Sequence, residues 1–334
     1  MSDGRAVRVC VDAAGGDLAP EVVLDGVMAA LAEDPYVRVV LTGPADVVEP
    51  FALTHEHVTA HPTTEVITMD DHPASAVRSK RDSSIVVGCR LVREREVDAF
   101  FSAGSTGGCM AAATLVMGRI KGVARPAIAT VIPTATSPTI LLDVGANADC
   151  KPEHLVHFAH MGRAYAEAVL GTVHPTVALL NIGEEPQKGS AIAIEAHELM
   201  RSQVPGFVGN VEGRDVLTGE VRVIVTDGFT GNVALKLLEG TSRVLLAQVK
   251  AALTSSFARR LAAAVVAPEF RRMKARLDPD TYGGAPLLGV NGVCIIGHGS
   301  SGASAIAAGI RVAAQASRGG LTERIAAAVA GSDS

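Results

Sequence analysis

The stretch VRVIVTDGFTGNVALKLLEG, Val221–Gly240, holds the repeating unit of the fold. Val221–Thr226 is apolar or β-branched at every position but Arg222, as a strand buried on both faces of a parallel sheet reads. Two glycines among Asp227, Thr230 and Asn232 then form a turn, and a helical pattern follows over about 229–252.

Working outward, the same unit recurs. Strands are predicted at Val7–Asp12, Val37–Thr42, Ala99–Ser102, Ala127–Ile132, Ile140–Val144, Val177–Asn181 and Val293–Ile296. Helices are predicted near 20–33, 83–96, 106–118, 152–170, 189–203 and 301–316. Such alternation implies an α/β fold, a mostly parallel sheet with helices on both sides. No low-complexity linker interrupts 1–334, so one compact unit with a central cleft is expected.

The strands run out into glycine with polar residues. Ligands of open α/β sheets bind beyond the carboxyl ends of strands, and helix N-termini there favour anions. The binding candidates are Asp12, Gly15, Gly16 and Asp17 in DAAGGD, and Ser105, Thr106 and Gly107 in SAGSTGG. Asn147 in DVGAN, Asp227, Thr230 and Gly231 in TDGFTGN, and His298, Ser300 and Ser301 in GHGSS complete the set. With NIGEE, the six turns are expected to line one anion-binding crevice.

Each turn has a plainer reading. GEEPQKGS, at 183–190, inverts the Gly-Lys order of a nucleotide P-loop, which leaves Lys188 as a cation beside a helix start. Lys188 is a phosphate or oxyanion partner, or a solvated loop lysine. Asp227, Thr230 and Asn232 suit helix capping as well as ligand binding. SAGSTGG matches neither the G-x-G-x-x-G fingerprint nor the G-x-S-x-G nucleophile elbow, so a covalent serine mechanism is not indicated. His298 with Ser300 and Ser301 can do acid–base work or form another capped anion loop. His154, His157 and His160 drift around a helix by about 60° per step and lack a carboxylate partner, so they read as a polar helix face, not a metal site.

Composition narrows the classes. Aromatic residues are 3%, tryptophan is absent and the net charge is −5, which argues against nucleic acid as a partner. Five scattered cysteines without a C-x-x-C pair, and an N-terminus that enters a strand pattern at once, point to a reducing cytoplasm. No apolar run is long enough to span a bilayer. Residues 254–277 differ in character: Arg259, Arg260, Arg271, Arg272, Lys274 and Arg276 face Glu269 alone, and Pro268 divides the segment. A basic amphipathic helical hairpin of this kind contacts an anionic membrane or a partner subunit, or is an ordinary surface helix pair.

Together these segments resemble the bacterial phosphate acyltransferases, the acyl-carrier-protein-dependent enzymes that make acyl phosphate for phospholipid synthesis. The resemblance runs from VDAAGGDLAP at 11–20 to GHGSS at 297–301. It includes GRIKGVARPAIA at 118–129, LLDVGANADCKPEHL at 141–155, LLNIGEEPQKG at 179–189, FVGNVEGRD at 207–215 and YGGAPLLG at 282–289. It implies a Rossmann-like, doubly wound fold related to the isocitrate and isopropylmalate dehydrogenases and to phosphate acetyltransferase. It also implies a homodimer, with the basic hairpin in dimer and membrane contacts, and Lys188 and Asn232 as the catalytic pair. The chain departs from the family's pattern at Ala14, Leu18, Ser105 and Gly108.

The implied chemistry is attack of inorganic phosphate on an acyl-carrier-protein thioester, which calls for no metal or redox cofactor. The acidic carrier needs a basic surface: Arg78, Lys80 and Arg81, then Arg119, Lys121 and Arg125, then the hairpin arginines. The acyl phosphate would pass to a membrane glycerol-3-phosphate acyltransferase. The alternatives are a phosphate acyltransferase using acyl-CoA, or a dehydrogenase-like fold acting on another anionic substrate. No dinucleotide fingerprint supports the latter.

Overall fold

The computed structural model describes residues 5–134, 136–256, 259, 263, 265–270, 272 and 282–332. Eleven strands form one sheet: β1 (Val7–Asp12), β2 (Val37–Gly43), β3 (Val58–Pro62), β4 (Ala99–Ser102), β5 (Ala127–Ile132), β6 (Thr139–Leu142), β7 (Val177–Leu180), β8 (Phe207–Val211), β9 (Val223–Val225), β10 (Ala285–Leu288) and β11 (Val293–Ile296). Outside 255–281, the α-helices among the described residues are α1 (Glu21–Glu33), α2 (Ala45–Thr54), α3 (Pro73–Ser79), α4 (Ser84–Arg93), α5 (Thr106–Ala112), α6 (Pro152–Ala168), α7 (Ala191–Gln203), α8 (Gly228–Thr254), α9 (Ala303–Arg318) and α10 (Leu321–Ser332).

The strand order is β3-β2-β1-β4-β11-β10-β5-β6-β9-β7-β8. Every neighbouring pair is parallel except β11–β10, β10–β5 and β5–β6. Three successive reversals leave β6, β9, β7 and β8 running opposite to β3, β2, β1, β4 and β11. The doubly wound α/β architecture is thus as expected, but the carboxyl ends of its two parallel halves point in opposite directions.

Alternate strand residues feed two cores, as the period of two in a pleated strand requires. Val9, Val11, Phe101, Leu142, Val225 and Ile295 join a core beneath α1, α6, α7 and α9. Cys10, Phe100, Leu141, Ile224 and Ile296 join a second beneath α3, α4 and α5. Each core crosses from one parallel half to the other, so the two halves share both layers. Phe100 and Phe101 are adjacent and face opposite cores; burial of one such ring stabilises by about 2–3 kcal/mol.

Three strands lie outside the sequence expectation. β3 and β8 are the outer strands of the sheet and carry exposed positions, so they lack a continuous apolar run. β10 contains Pro286, a residue that argues against a strand by sequence. The predicted helix 106–118 is α5 followed by a π-helical turn at Ala113–Met117. The predicted basic hairpin begins as α8 ends; Arg260, Arg271, Lys274 and Arg276 lie outside the described residues.

Candidate active site

The six glycine-rich turns form two groups of three, a correction to the single crevice expected. The reversed strand directions account for it. The turns after β1, β4 and β11 belong to one half of the sheet, and those after β6, β7 and β9 to the other.

In the second group, Asp143 organises the turn after β6. It is fully buried, and burial pushes its carboxyl above the usual range. Five donors oppose that push. Oδ1 accepts from the amides of Ile128, Gly145 and Ala146 at 3.0, 3.2 and 3.0 Å; Oδ2 accepts from Asn147 N and Nδ2 at 2.7 and 2.9 Å. Asn147 Nδ2 also donates to Pro126 O at 2.7 Å, so Asn147 spends its amide on the scaffold.

The start of α8 packs on this turn. Asp227 caps the helix by accepting from Thr230 N and Oγ1, both at 2.8 Å, while Gly228 N donates to Asn147 O at 2.7 Å. A Cβ on Gly231 would collide with Asp143 O, so glycine is required there for the helix to approach. One residue further on, Asn232 is exposed beside Gly145; a Cβ on Gly145 would lie 3.9 Å from the Asn232 carboxamide.

Lys188 sits on the turn after β7, with its side chain exposed. Its backbone is held from behind. Asn181 Nδ2 donates to Lys188 O at 2.9 Å, Lys188 N donates to Glu185 O at 3.1 Å, and Asn210 Nδ2 donates to Glu185 O at 2.9 Å. Asn210 Oδ1 lies 2.9 Å from Nδ1 of buried His197. Gly189 has φ +101°, and a Cβ there would strike Asn181 Oδ1, so only glycine suits this turn. Ser190 then caps α7, accepting from Ala193 N at 3.2 Å.

Between these two turns lies a cavity of about 400 Å³. Ser190, Asp227 and Thr230 give it polar walls, and Leu179, Ile192 and Phe229 give it apolar ones. Ser190 is two residues beyond Lys188, and Thr230 two before Asn232, so the cavity lies between the segments carrying the two residues. Cys150 also lines it; burial first, then the charge of Asp143, pushes its thiol up to about 11. At neutral pH it is a thiol and not a nucleophile. Asp149, Cys150, Ile192 and Phe229 were absent from the sequence candidates. Phe229 had a legible signal, an aromatic ring inside a polar turn motif, and it is 67% exposed.

The first group rests on Asp12. It is buried and its carboxyl is raised by that burial, against hydrogen bonds from Ser84, Ser102, Ala14 and Gly15. Ser102 Oγ donates to it at 2.7 Å and accepts from Gly104 N at 3.0 Å. Asp12 therefore braces the turn from below. Gly15 packs on Asp12 and Gly104, and Gly16 approaches Gly299 O. Asp17 N donates to Gly299 O at 2.7 Å, joining the β1 and β11 turns, while the Asp17 side chain is exposed.

Ser105 is buried as the cap of α5, accepting from Gly108 N at 3.2 Å; Thr106 is exposed, and Gly107 abuts Pro73. Ser301 Oγ accepts from His298 N at 3.1 Å, whereas the His298 and Ser300 side chains face solvent. Asp12, Ser105 and Ser301 thus act as local braces, and Asp17, Thr106, His298 and Ser300 form the open face.

Comparison with known proteins separates the acyl-transfer and dehydrogenase readings. Residues 7–324 match the family model described as a fatty acid synthesis protein. A phosphate acyltransferase of Heliobacterium modesticaldum is 49% identical over 92% of this chain and 93% of its own. One of Acidobacterium capsulatum is 48% identical over 96% of each. The chain belongs to the phosphate acyltransferase family. The fold of this family member is also that of a Streptococcus pyogenes phosphotransacetylase (TM-score 0.62, 16% identity, 93% of this chain and 94% of that one). A 4-hydroxythreonine-4-phosphate dehydrogenase from Burkholderia phymatum shares it more loosely (TM-score 0.53, 12% identity, 93% and 98%). The expected kinship with phosphate acetyltransferase and dehydrogenase folds is borne out, and the phosphate acyltransferase family makes this chain an acyltransferase.

Proposed function

We propose that the chain transfers a fatty acyl group from the thioester of acyl carrier protein to inorganic phosphate, with Lys188 and Asn232 as the catalytic pair. The observation that carries this reading is the cavity between the Lys188 and Asn232 segments, whose lining mixes polar and apolar side chains. It lies at the N-terminus of α8, where the helix dipole favours an anion, while Gly228 N and Thr230 N are themselves bonded to Asn147 O and Asp227 Oδ1. Leu179, Ile192 and Phe229 suit the first methylenes of an acyl chain.

A phosphate oxygen attacks the thioester carbonyl carbon. The C–O bond forms, the carbonyl electrons move to oxygen, and the tetrahedral oxyanion collapses with cleavage of the C–S bond. The sulfur leaves with the bonding pair and takes a proton from solvent. Lys188 neutralises phosphate and developing charge, and the Asn232 carboxamide donates to the oxyanion. A direct attack is supported by Cys150, whose thiol is pushed up to about 11 by burial and by the charge of Asp143.

The chain further acts as a homodimer in the cytoplasm, with peripheral membrane contact through the basic segment near 254–277. It delivers acyl phosphate to a membrane glycerol-3-phosphate acyltransferase. Apolar Val233, Leu237 and Val244, exposed along α8, support a subunit contact. No helix among the described residues is long and apolar enough to cross a membrane.

The test is release of acyl phosphate from purified protein with phosphate and either acyl carrier protein or CoA thioester as donor. A higher kcat/KM on the carrier thioester is expected. Turnover confined to acyl-CoA overturns the donor assignment, and phosphate-independent thioester hydrolysis overturns the reaction.

A further inference from the structure

A second cavity, of about 480 Å³, lies on the opposite half of the molecule from Lys188, between α3, α4 and the π-helical turn. Arg78, Arg81, Arg90 and Arg93 line it and no acidic residue does, though Arg93 also pairs with Glu94 at 3.2 Å. Its floor is apolar, from Val77, Val86, Leu115 and Val116. Leu115 stands half exposed on the π-helical turn, an irregularity that presents it to the groove. Val86, Arg90 and Arg93 are spaced i, i+4, i+7 on α4, so they line one face of that helix over about 10 Å.

We propose that this groove is the docking surface for the acidic carrier protein that brings the acyl thioester; the proposal rests on the donor named under Proposed function. Charge complementarity selects the partner. The chain as a whole carries a net charge of −5, so an acidic protein is repelled by the average surface and drawn to a concave site with four arginines. Guanidinium forks bind carboxylates two bonds at a time, and the apolar floor accepts an aliphatic side chain between them. A one-sided groove about two helical turns long fits a partner helix with acidic flanks and an apolar ridge. A nucleic acid would want aromatic stacking, and no aromatic residue lines the groove. A bilayer surface is flat and would leave a concave floor unfilled.

The structure also sorts the basic residues expected to receive the carrier. Lys80 is committed inward, its Nζ 2.6 Å from Asp71 Oδ2 and 2.8 Å from Val66 O. Arg90 and Arg93, unremarked in sequence, take their place beside Arg78 and Arg81 because α4 turns them to the same side.

The experiment pairs Arg78→Glu with Arg93→Glu, two exposed side chains, and compares an acyl-carrier thioester with the corresponding acyl-pantetheine thioester. The KM for the carrier thioester is expected to rise at least tenfold with kcat little changed. Turnover of acyl-pantetheine and the melting temperature stay at wild-type values, and Arg78→Lys with Arg93→Lys restores most of the carrier KM. Salt should weaken the wild-type reaction with the carrier more than that of the Glu variant. An unchanged carrier KM, or an equal loss on both donors, overturns the proposal. Loss of binding to phosphatidylglycerol vesicles with normal carrier kinetics assigns the groove to anionic lipid instead. If the wild type turns over acyl-pantetheine but not the carrier thioester, the donor assignment fails and the docking proposal falls with it.

Discussion

Lys188 and Asn232 are exposed side chains on rigid backbones, and that combination sets what their substitution does. Lys188→Ala removes no buried contact, so its melting temperature should match wild type within about 1–2 °C. Its kcat/KM for acyl-phosphate formation should fall by at least about a hundredfold, the scale of losing one oxyanion or phosphate partner. On the proposed role of its amide at the tetrahedral oxyanion, Asn232→Ala should lower kcat more than it raises the KM for phosphate. An effect confined to that KM would recast Asn232 as a phosphate ligand. Asp143 behaves in the opposite way. All five of its partners are donors, so Asp143→Asn turns an NH2 group toward N–H groups in a buried pocket. A loss of about 3 kcal/mol is expected, read by urea unfolding. A variant as stable as wild type would show that the turn does not depend on the carboxylate.

The elements around the site divide the same way between what patterning reveals and what assembly adds. β1, β4, β5 and β11 have the predicted bounds because two-sided burial leaves runs dominated by apolar residues, Arg8 of β1 being the one exposed position. β3 and β8 escape such reading since an outer strand needs apolar residues on fewer positions. The candidate residues Lys188 and Asn232 stand out by motif, yet Phe229 and Ile192 pass as ordinary apolar residues until α7 and α8 bring them to one cavity. The cap of α8 was legible as a cap. Asp227→Ala should cost about 1 kcal/mol of stability and lower kcat/KM by more than that loss explains, since the α8 N-terminus faces the cavity. Equal small effects on both would confine Asp227 to structure. Further along α8, Phe229, Val233, Leu237 and Val244 recur at spacings of four, four and seven on one exposed stripe, and Leu237 is 68% exposed. Leu237→Glu with Val244→Glu should convert the proposed dimer to a monomer by light scattering. Retention of the dimer would move the subunit contact elsewhere.

On the scale of the whole molecule, the sequence displays the repeating strand–turn–helix unit but not the reversal of direction at β10 and β5, which depends on how distant strands pair. One apparent crevice of six turns becomes two groups for that reason alone. The same packing buries His160 on α6 between the sheet and its covering helices, 4% exposed, with neither ring nitrogen hydrogen-bonded among the described residues. Burial, then the charges of Arg163 and His157, lowers its imidazole from the usual 6.5 to about 4. The folded chain therefore binds fewer protons than the unfolded one between those two values. Stability is complete above about pH 6.5 and is lost as pH falls toward 4, by about 3 kcal/mol at about 1.4 kcal/mol per pH unit. Below pH 4 this contribution levels off, because both states are then protonated. His160→Leu removes the titrating group while keeping an apolar side chain of similar size. The variant should lose about 4 °C less than wild type in melting temperature between pH 6.5 and 4, given the unfolding entropy of a chain this long. Parallel curves for the two proteins would mean that His160 is hydrated or already protonated in the fold, and that the acid limit of stability is set by the carboxylates.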